Sequence, residues 1–278
     1  MTSTANDGRV GRAPRKLRVW CAAGAVAAGA VVGAPPAQAI TGGEQATATY
    51  SFMASLQDAG SGEHFCGGTL IAARWILTAE HCVLADPGDA ESDLRDPATI
   101  QVRVGSNDRT RGGEVRRGER IVAAPADPDS RQDMALLALD APVAATPAAL
   151  PRRAPDTGDP VRTIGWGDHR LPENPGDPWG PRPVKLRQLD SRLIAPERCT
   201  GISGEPILPG ELCVRALPGE GSKWPQTARA GDSGGPLLTR THGTWTVVGV
   251  VSRGSLDQHG VYGSSHAERE WIRDTVTG

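Results

Sequence analysis

Gly231-Asp232-Ser233-Gly234-Gly235-Pro236 is the window of this chain best suited to chemistry. A serine hydroxyl is a weak nucleophile and needs a base to take its proton, with a third group orienting that base. Glycines beside it let the backbone turn tightly and aim N–H groups at one point, as a developing oxyanion requires. A base is available upstream, where Trp75-Ile76-Leu77-Thr78-Ala79-Glu80-His81-Cys82 puts a histidine at the end of a strand. Asp133-Met134-Ala135-Leu136-Leu137 puts an acid immediately before a buried apolar run. Alone, either residue reads as a capped turn or a solvated loop end. Together the order is His81, Asp133, Ser233, with gaps of 52 and 100 residues.

The same serine window matches G-x-S-x-G, the nucleophile elbow of α/β-hydrolases. An elbow needs a helix after the serine and then Asp and His in that order. Only 45 residues follow Ser233, and although Asp257 and His259 or His266 are present, the next segment is Pro236-Leu237-Leu238 and then a β run. No helix is there to point the serine. Histidines at 64, 81, 169, 242, 259 and 266 show no metal-ligand spacing, so no cofactor or metal is expected. Asp86, Asp89, Glu91, Asp93 and Asp96 read as solvated loop charge in preference to a calcium loop.

The elements that must position these residues are strands. Among 278 residues there are 35 Gly and 23 Pro, a composition that favours many turns over long helices. Short apolar runs recur about every ten residues, as in an all-β sandwich or barrel. Strands are expected at 51–57, 65–71, 75–78, 100–104, 119–123, 135–139, 161–165, 185–193 and 244–252. The run Trp245 to Val251 is apolar on both faces, which places it inside a sheet. Ala267, Trp271, Ile272, Thr275 and Val276 recur at helical spacing and predict a terminal helix. Residues 84–97 and 168–183 read as surface loops, and 144–159, with three prolines, as a linker between two halves. No internal repeat is found. Lys plus Arg is 30 against 32 Asp plus Glu, a net charge of -2, which lacks the electrostatic footprint of a nucleic-acid binder.

The N-terminus reads as an export signal. Arg9, Arg12, Arg15, Lys16 and Arg18 precede an Ala/Val/Gly stretch at 19–34, too short for a confident membrane span, and Ala37-Gln38-Ala39 is a small-x-small cleavage pattern. Cleavage after Ala39 leaves 239 residues, with 25 basic and 31 acidic side chains and a net charge of -6. It also removes Cys21, so that the odd count of five cysteines becomes four: Cys66, Cys82, Cys199 and Cys213. The product is expected to be secreted and soluble, with no membrane partner.

Across this mature region the chain resembles the trypsin-like (chymotrypsin-fold) serine endopeptidases, of the secreted bacterial kind. The resemblance rests on Ile40-Thr41-Gly42-Gly43, Cys66-Gly67-Gly68-Thr69-Leu70-Ile71, the His81 and Asp133 segments, Gly165-Trp166-Gly167, the Ser233 window, Val251-Ser252-Arg253-Gly254, Gly260-Val261-Tyr262 and the terminal helix. Each is weak singly, and their joint order is specific. It implies an all-β fold of two six-stranded antiparallel Greek-key barrels, the active site between them, with barrels at 40–155 and 156–278 behind a leader at 1–39. It implies a monomeric enzyme that cleaves polypeptides through an acyl-enzyme, with Ser233 as nucleophile, His81 as base then acid, and Asp133 fixing the imidazole tautomer. The N–H groups of Gly231 and Ser233 would form the oxyanion hole, Ser252 would support Asp133, and residues 252–254 would pair with the substrate backbone. It selects Cys66–Cys82 and Cys199–Cys213 among three pairings of four cysteines, the first contributing about 3 kcal/mol by loop entropy. It also implies that a free amino group on Ile40 pairs with Asp232 to order the oxyanion hole, so that signal cleavage itself would mature the enzyme.

Four departures bear on activity and specificity. Glu80 stands where the family has a small alanine beside the histidine. Arg253 stands where an aromatic usually walls the substrate groove. Arg229 replaces a cysteine of the pocket disulfide, whose partner beyond Gly254 is missing too, as in a bacterial variant. The position of the pocket floor falls on Thr227, which with Ala230, Gly254 and Gly260 predicts neutral side chains in place of Arg or Lys. The alternative function is a catalytically inactive binding protein on the same scaffold, whose mark would be loss of a triad member or an oxyanion glycine; none is lost.

Overall fold

A computed structural model describes residues 40–89, 91–125, 133–172, 174, 177, 180–199, 206–219, 222–254 and 259–278. The expected leader at 1–39, with Cys21, lies outside the described residues, as do Asp257 and part of the loop at 168–183.

Thirteen strands and one α-helix are described: β1 (Glu44–Gln45), β2 (Met53–Asp58), β3 (His64–Ala72), β4 (Trp75–Thr78), β5 (Ile100–Val104), β6 (Glu114–Ala123), β7 (Ala135–Leu139), β8 (Pro160–Gly165), β9 (Arg187–Ile194), β10 (Glu211–Val214), β11 (Pro236–Thr241), β12 (Thr244–Gly254), β13 (Gly260–Ser264) and α1 (Arg269–Thr277). The first six of the long strands close into an antiparallel barrel in the order β2-β3-β4-β7-β6-β5. The second barrel runs β9-β10-β13-β12-β11-β8 and closes by the β8–β9 pairing, with β1 added at its margin. The two six-stranded barrels and the terminal helix match the expected fold class.

Side-chain alternation shows why the strands sit where they do. In β5, Ile100, Val102 and Val104 are fully buried while Gln101 and Arg103 turn outward, the half-buried pattern of a barrel wall. In β11 and β12 both faces are covered. Leu237, Val248 and Val251 join Val161, Leu193, Val214 and Tyr262 inside the second barrel. Their neighbours Leu238, Val247 and Val250 turn the other way and join the core of the first barrel, so the apolar double face is the seam between barrels. Ile272 of α1 is fully buried against that same core. The expected linker at 144–159 is packed: Ala148 donates to Leu70 O at 2.9 Å and Val247 to Ala149 O at 2.9 Å.

Strands β4, β5 and β7 coincide with the sequence reading. Expected strand 119–123 begins earlier, at Glu114, because the first half of β6 is charged and exposed and carries no apolar signal. β1, β10, β11 and β13 were not among the expected strands; they are two to six residues long, and Gly260-Val261-Tyr262-Gly263-Ser264 shows no period of two.

Candidate active site

Strand pairing brings the acid to the base. β4 and β7 are antiparallel with Thr78 opposite Ala135, so His81, just past the end of β4, and Asp133, just before β7, emerge side by side. His81 lies in a 3-10 turn, Glu80–Cys82, and the Cys66–Cys82 disulfide ties that turn to β3. His81 Nδ1 lies 2.9 Å from Asp133 Oδ2 and 3.1 Å from Oδ1, and its backbone N–H donates to Oδ1 at 3.1 Å. Ser252 Oγ, from the second barrel, donates to Asp133 Oδ2 at 2.6 Å. The carboxylate is therefore gripped from both barrels.

These contacts set the protonation. Burial would raise the pKa of Asp133, but donors from His81 and Ser252 outweigh it and the net shift is downward. Burial would lower that of His81, but the bond and charge of Asp133 and the charge of Glu80 outweigh it, and the imidazole is shifted upward. Glu80 is shifted up, by partial burial first and the charge of Asp133 second.

The serine turn is seated on the first barrel. Ser233 O accepts from Gly67 N at 2.7 Å and Gly234 N donates to Val251 O at 2.8 Å. Gly234 holds φ +75°, and a Cβ there would stand 2.2 Å from Thr78 Oγ1 and 2.5 Å from Gly67 O; only glycine lets the turn approach the end of β4 this closely. Ser233 Oγ and His81 form no hydrogen bond in this structure. Such bonds are often long in unliganded enzymes and tighten on substrate binding.

Asp232 is completely buried. Its Oδ1 accepts from Gly167 N at 2.7 Å and Oδ2 from Arg229 N at 2.9 Å, while burial pushes its pKa up to about 7. A Cβ on Gly165 or Gly167 would collide with this carboxylate at 2.1 or 2.4 Å, which explains the glycines of Gly165-Trp166-Gly167. Ile40 is fully buried at φ +48°. Its neighbours reach the same loop: Thr41 pairs with Thr227, and Arg229 Nε donates to Thr41 Oγ1 at 3.2 Å. Arg229 Nη2 also donates to Pro225 O at 2.8 Å, so hydrogen bonds tie the pocket loop at the position where the sequence lacks the family's disulfide.

Gly254 and Gly260 face each other across β12 and β13, and a Cβ on Gly260 would lie 3.3 Å from Thr227 Oγ1. Thr227 is buried and uncharged, and Ala230 is exposed with its carbonyl accepting from Asp168 N at 2.8 Å. Arg253 does not stand free in the groove; its guanidinium makes a bidentate pair with the almost fully buried Glu211 of β10, Nη2 to Oε2 at 3.0 Å. The second disulfide joins Cys199 to Cys213.

Two contributors were invisible in the sequence. His64 is buried, with Nε2 3.0 Å from Gly231 O and Nδ1 2.9 Å from Ser55 Oγ. A carbonyl accepts only, so Nε2 carries the proton and Nδ1 accepts from the serine. Arg182, held by Asp168 Oδ1 at 2.9 Å and His64 O at 3.2 Å, packs on the other side of Gly231. Neither partner lies at a fixed short spacing from Ser233, so no motif could reveal them.

Residues 40–272 match the family model described as Trypsin. Mannan-binding lectin serine protease 1 of Homo sapiens is 31% identical over 246 residues, covering 78% of this chain and 32% of that protein. The Rattus norvegicus protein of the same name is 31% identical over 245 residues, with the same coverage. The chain thus spans about a third of the length of these relatives, at 32%. With the two barrels and the position of His81, Asp133 and Ser233 at their junction, the chain belongs to the trypsin family of serine proteases.

Proposed function

We propose that the protein is a secreted serine endopeptidase of the bacterial form of the family, acting as a monomer on polypeptides. The observation that carries this is Asp133 accepting from His81 on one side and Ser252 on the other, beside a glycine turn that presents Ser233. In this reading His81 Nε2 takes the Ser233 proton as Oγ attacks the scissile carbonyl, and the N–H groups of Gly231 and Ser233 receive the oxyanion. The imidazolium then gives the proton to the leaving amine, and the same steps with water release the acid from the acyl-enzyme. Asp133 stabilises the imidazolium without itself taking a proton.

The leader at 1–39 would be removed in export, leaving barrels within 40–155 and 156–278, and maturation would follow directly. While Ile40 is preceded by Ala39 its nitrogen is an amide, and φ +48° is a strained setting for a β-branched residue, worth about 1–3 kcal/mol. A chain that begins at Ile40 has no φ there, and its ammonium has Asp232 as an anionic partner.

An uncharged Thr227 beside Gly260 supports a preference for neutral side chains before the scissile bond. The test is labelling with a serine-directed phosphonate, wild type against Ser233→Ala, followed by a peptide-library cleavage profile. Labelling of the wild type only is expected; none in either protein would favour a binding module, and strict Arg/Lys cleavage would overturn the specificity.

A further inference from the structure

A cleft of about 550 Å³ opens on the second barrel against Arg162, Arg192, Arg215, Arg240, Asp190 and Trp245. It lies at the opposite end of the strands from the serine turn. β11 starts three residues after Ser233 and lines the cleft from Leu238 to Arg240; β12 leaves the cleft at Trp245 and arrives at Ser252 about 23 Å later, at about 3.3 Å per residue. β8 likewise starts in the cleft and ends at Gly165, beside Asp232.

The charges in this cleft are unequal. Arg162 is matched, donating to Asp190 at 2.6 and 2.5 Å. Among the described residues Arg192 donates to Gly158 O at 3.1 Å and Arg240 to Gly243 O at 3.5 Å, both backbone carbonyls. These two and Arg215 are exposed, and among the described residues none of the three has a carboxylate partner. Arg162 and Arg240 both lie over the Trp245 ring, at 5.3 and 5.1 Å, which holds two of the guanidiniums in place at the cleft wall. Three cations without a carboxylate partner among the described residues are thus gathered in one concavity, in a chain segment, 40–278, whose net charge is -6. Concave walls focus such a field. Guanidinium forks fit tetrahedral oxyanions bidentately, and the volume falls in the range of about 300–1,000 Å³ that accommodates small ligands.

We propose that this cleft binds a compact oligoanion bearing phosphate or sulfate groups, at a site separate from the peptide-cleaving centre. The test is calorimetric titration of the secreted protein with tripolyphosphate and, in a second arm, with sucrose octasulfate, at low and raised salt. One-to-one binding that weakens with salt is expected, and the tighter arm identifies the ester class. Arg192→Gln, Arg215→Gln and Arg240→Gln should each weaken binding about tenfold, with folding checked by melting temperature. Ser233→Ala and the surface change Arg117→Gln, on β6 of the first barrel, should leave binding as it was. Absence of saturable binding in both arms would overturn the proposal, as would equal loss in Arg117→Gln, the result of diffuse attraction.

Discussion

His64 Nε2 donates to the carbonyl of Gly231 at 3.0 Å, across 167 residues and from one barrel to the other. The bond fixes the peptide plane that precedes Asp232, and with it the direction of the turn that carries Ser233. Ser55 behind the ring fixes its tautomer, Trp166 packs edge-on at 5.6 Å, and burial holds the imidazole neutral, with its pKa lowered to about 3.

Replacing His64 by Phe should leave a buried carbonyl unpaired and lower stability by about 1–3 kcal/mol, with kcat falling more than KM because the oxyanion turn loosens. The wild type should also lose stability in acid. A depressed folded pKa means the unfolded chain binds the proton first, so this contribution is complete above about pH 6.5 and is lost as pH falls towards about 3. Denaturant melts over that range should show a slope of up to about 1.4 kcal/mol per pH unit that His64→Phe reduces.

The upward shift of His81 should appear as the acidic limb of kcat/KM, since the base must be neutral in the free enzyme. Glu80 contributes to that shift. Glu80→Ala should move the limb to lower pH without removing it. A limb that stays in place would show that Glu80 does not act on His81.

Maturation at Ile40 should reverse the pH dependence of stability. With any residue before Ile40, burial raises the pKa of Asp232 from 3.8 to about 7, so stability falls as pH rises between those values. In the chain beginning at Ile40, pairing raises the pKa of the amino group above its usual value of about 8, so stability persists at neutral pH and is lost in alkali. Melting curves of the secreted protein and of a form retaining one residue before Ile40 compare the two. N-terminal sequencing of secreted material should read Ile40 first, and any other start would falsify the maturation route.

Thr227→Asp should place a carboxylate beside Gly260 and raise cleavage after Arg and Lys, relative to apolar residues, by at least about tenfold. Library profiles of the two proteins measure this. An unchanged profile would mean that Thr227 is not at the pocket floor.

Breaking Cys66–Cys82 with paired Ala substitutions should cost about 3 kcal/mol, from the 16-residue loop alone. Activity should fall further than stability accounts for, since the bond braces the turn that holds His81. Refolding yield and kcat at a temperature where both proteins remain folded separate these effects.

Much of the fold and of the site is legible in the sequence alone. Local order on the chain carries local chemistry: the Ser233 turn needs its own glycines, β4 and β7 show their burial in consecutive apolar residues and β5 in strict alternation, so their bounds followed from pattern alone. The amino acids 245–251 declared a strand covered on both faces, though not what covers it. Short or charged strands escaped, because β10 has four residues and the first half of β6 faces solvent.

What only the tertiary structure decided is the set of long-range contacts that neither a motif nor the family resemblance implied. His64 with Gly231 and Glu211 with Arg253 are 167 and 42 residues apart. No period or motif links such pairs, because they meet only after two barrels have closed and packed along a common apolar seam. Residue types and their order determined the class of chemistry. Burial and distance, properties of the packed chain alone, decided the buried acid at Asp232, the fate of Arg253 and the basic cleft behind the second barrel.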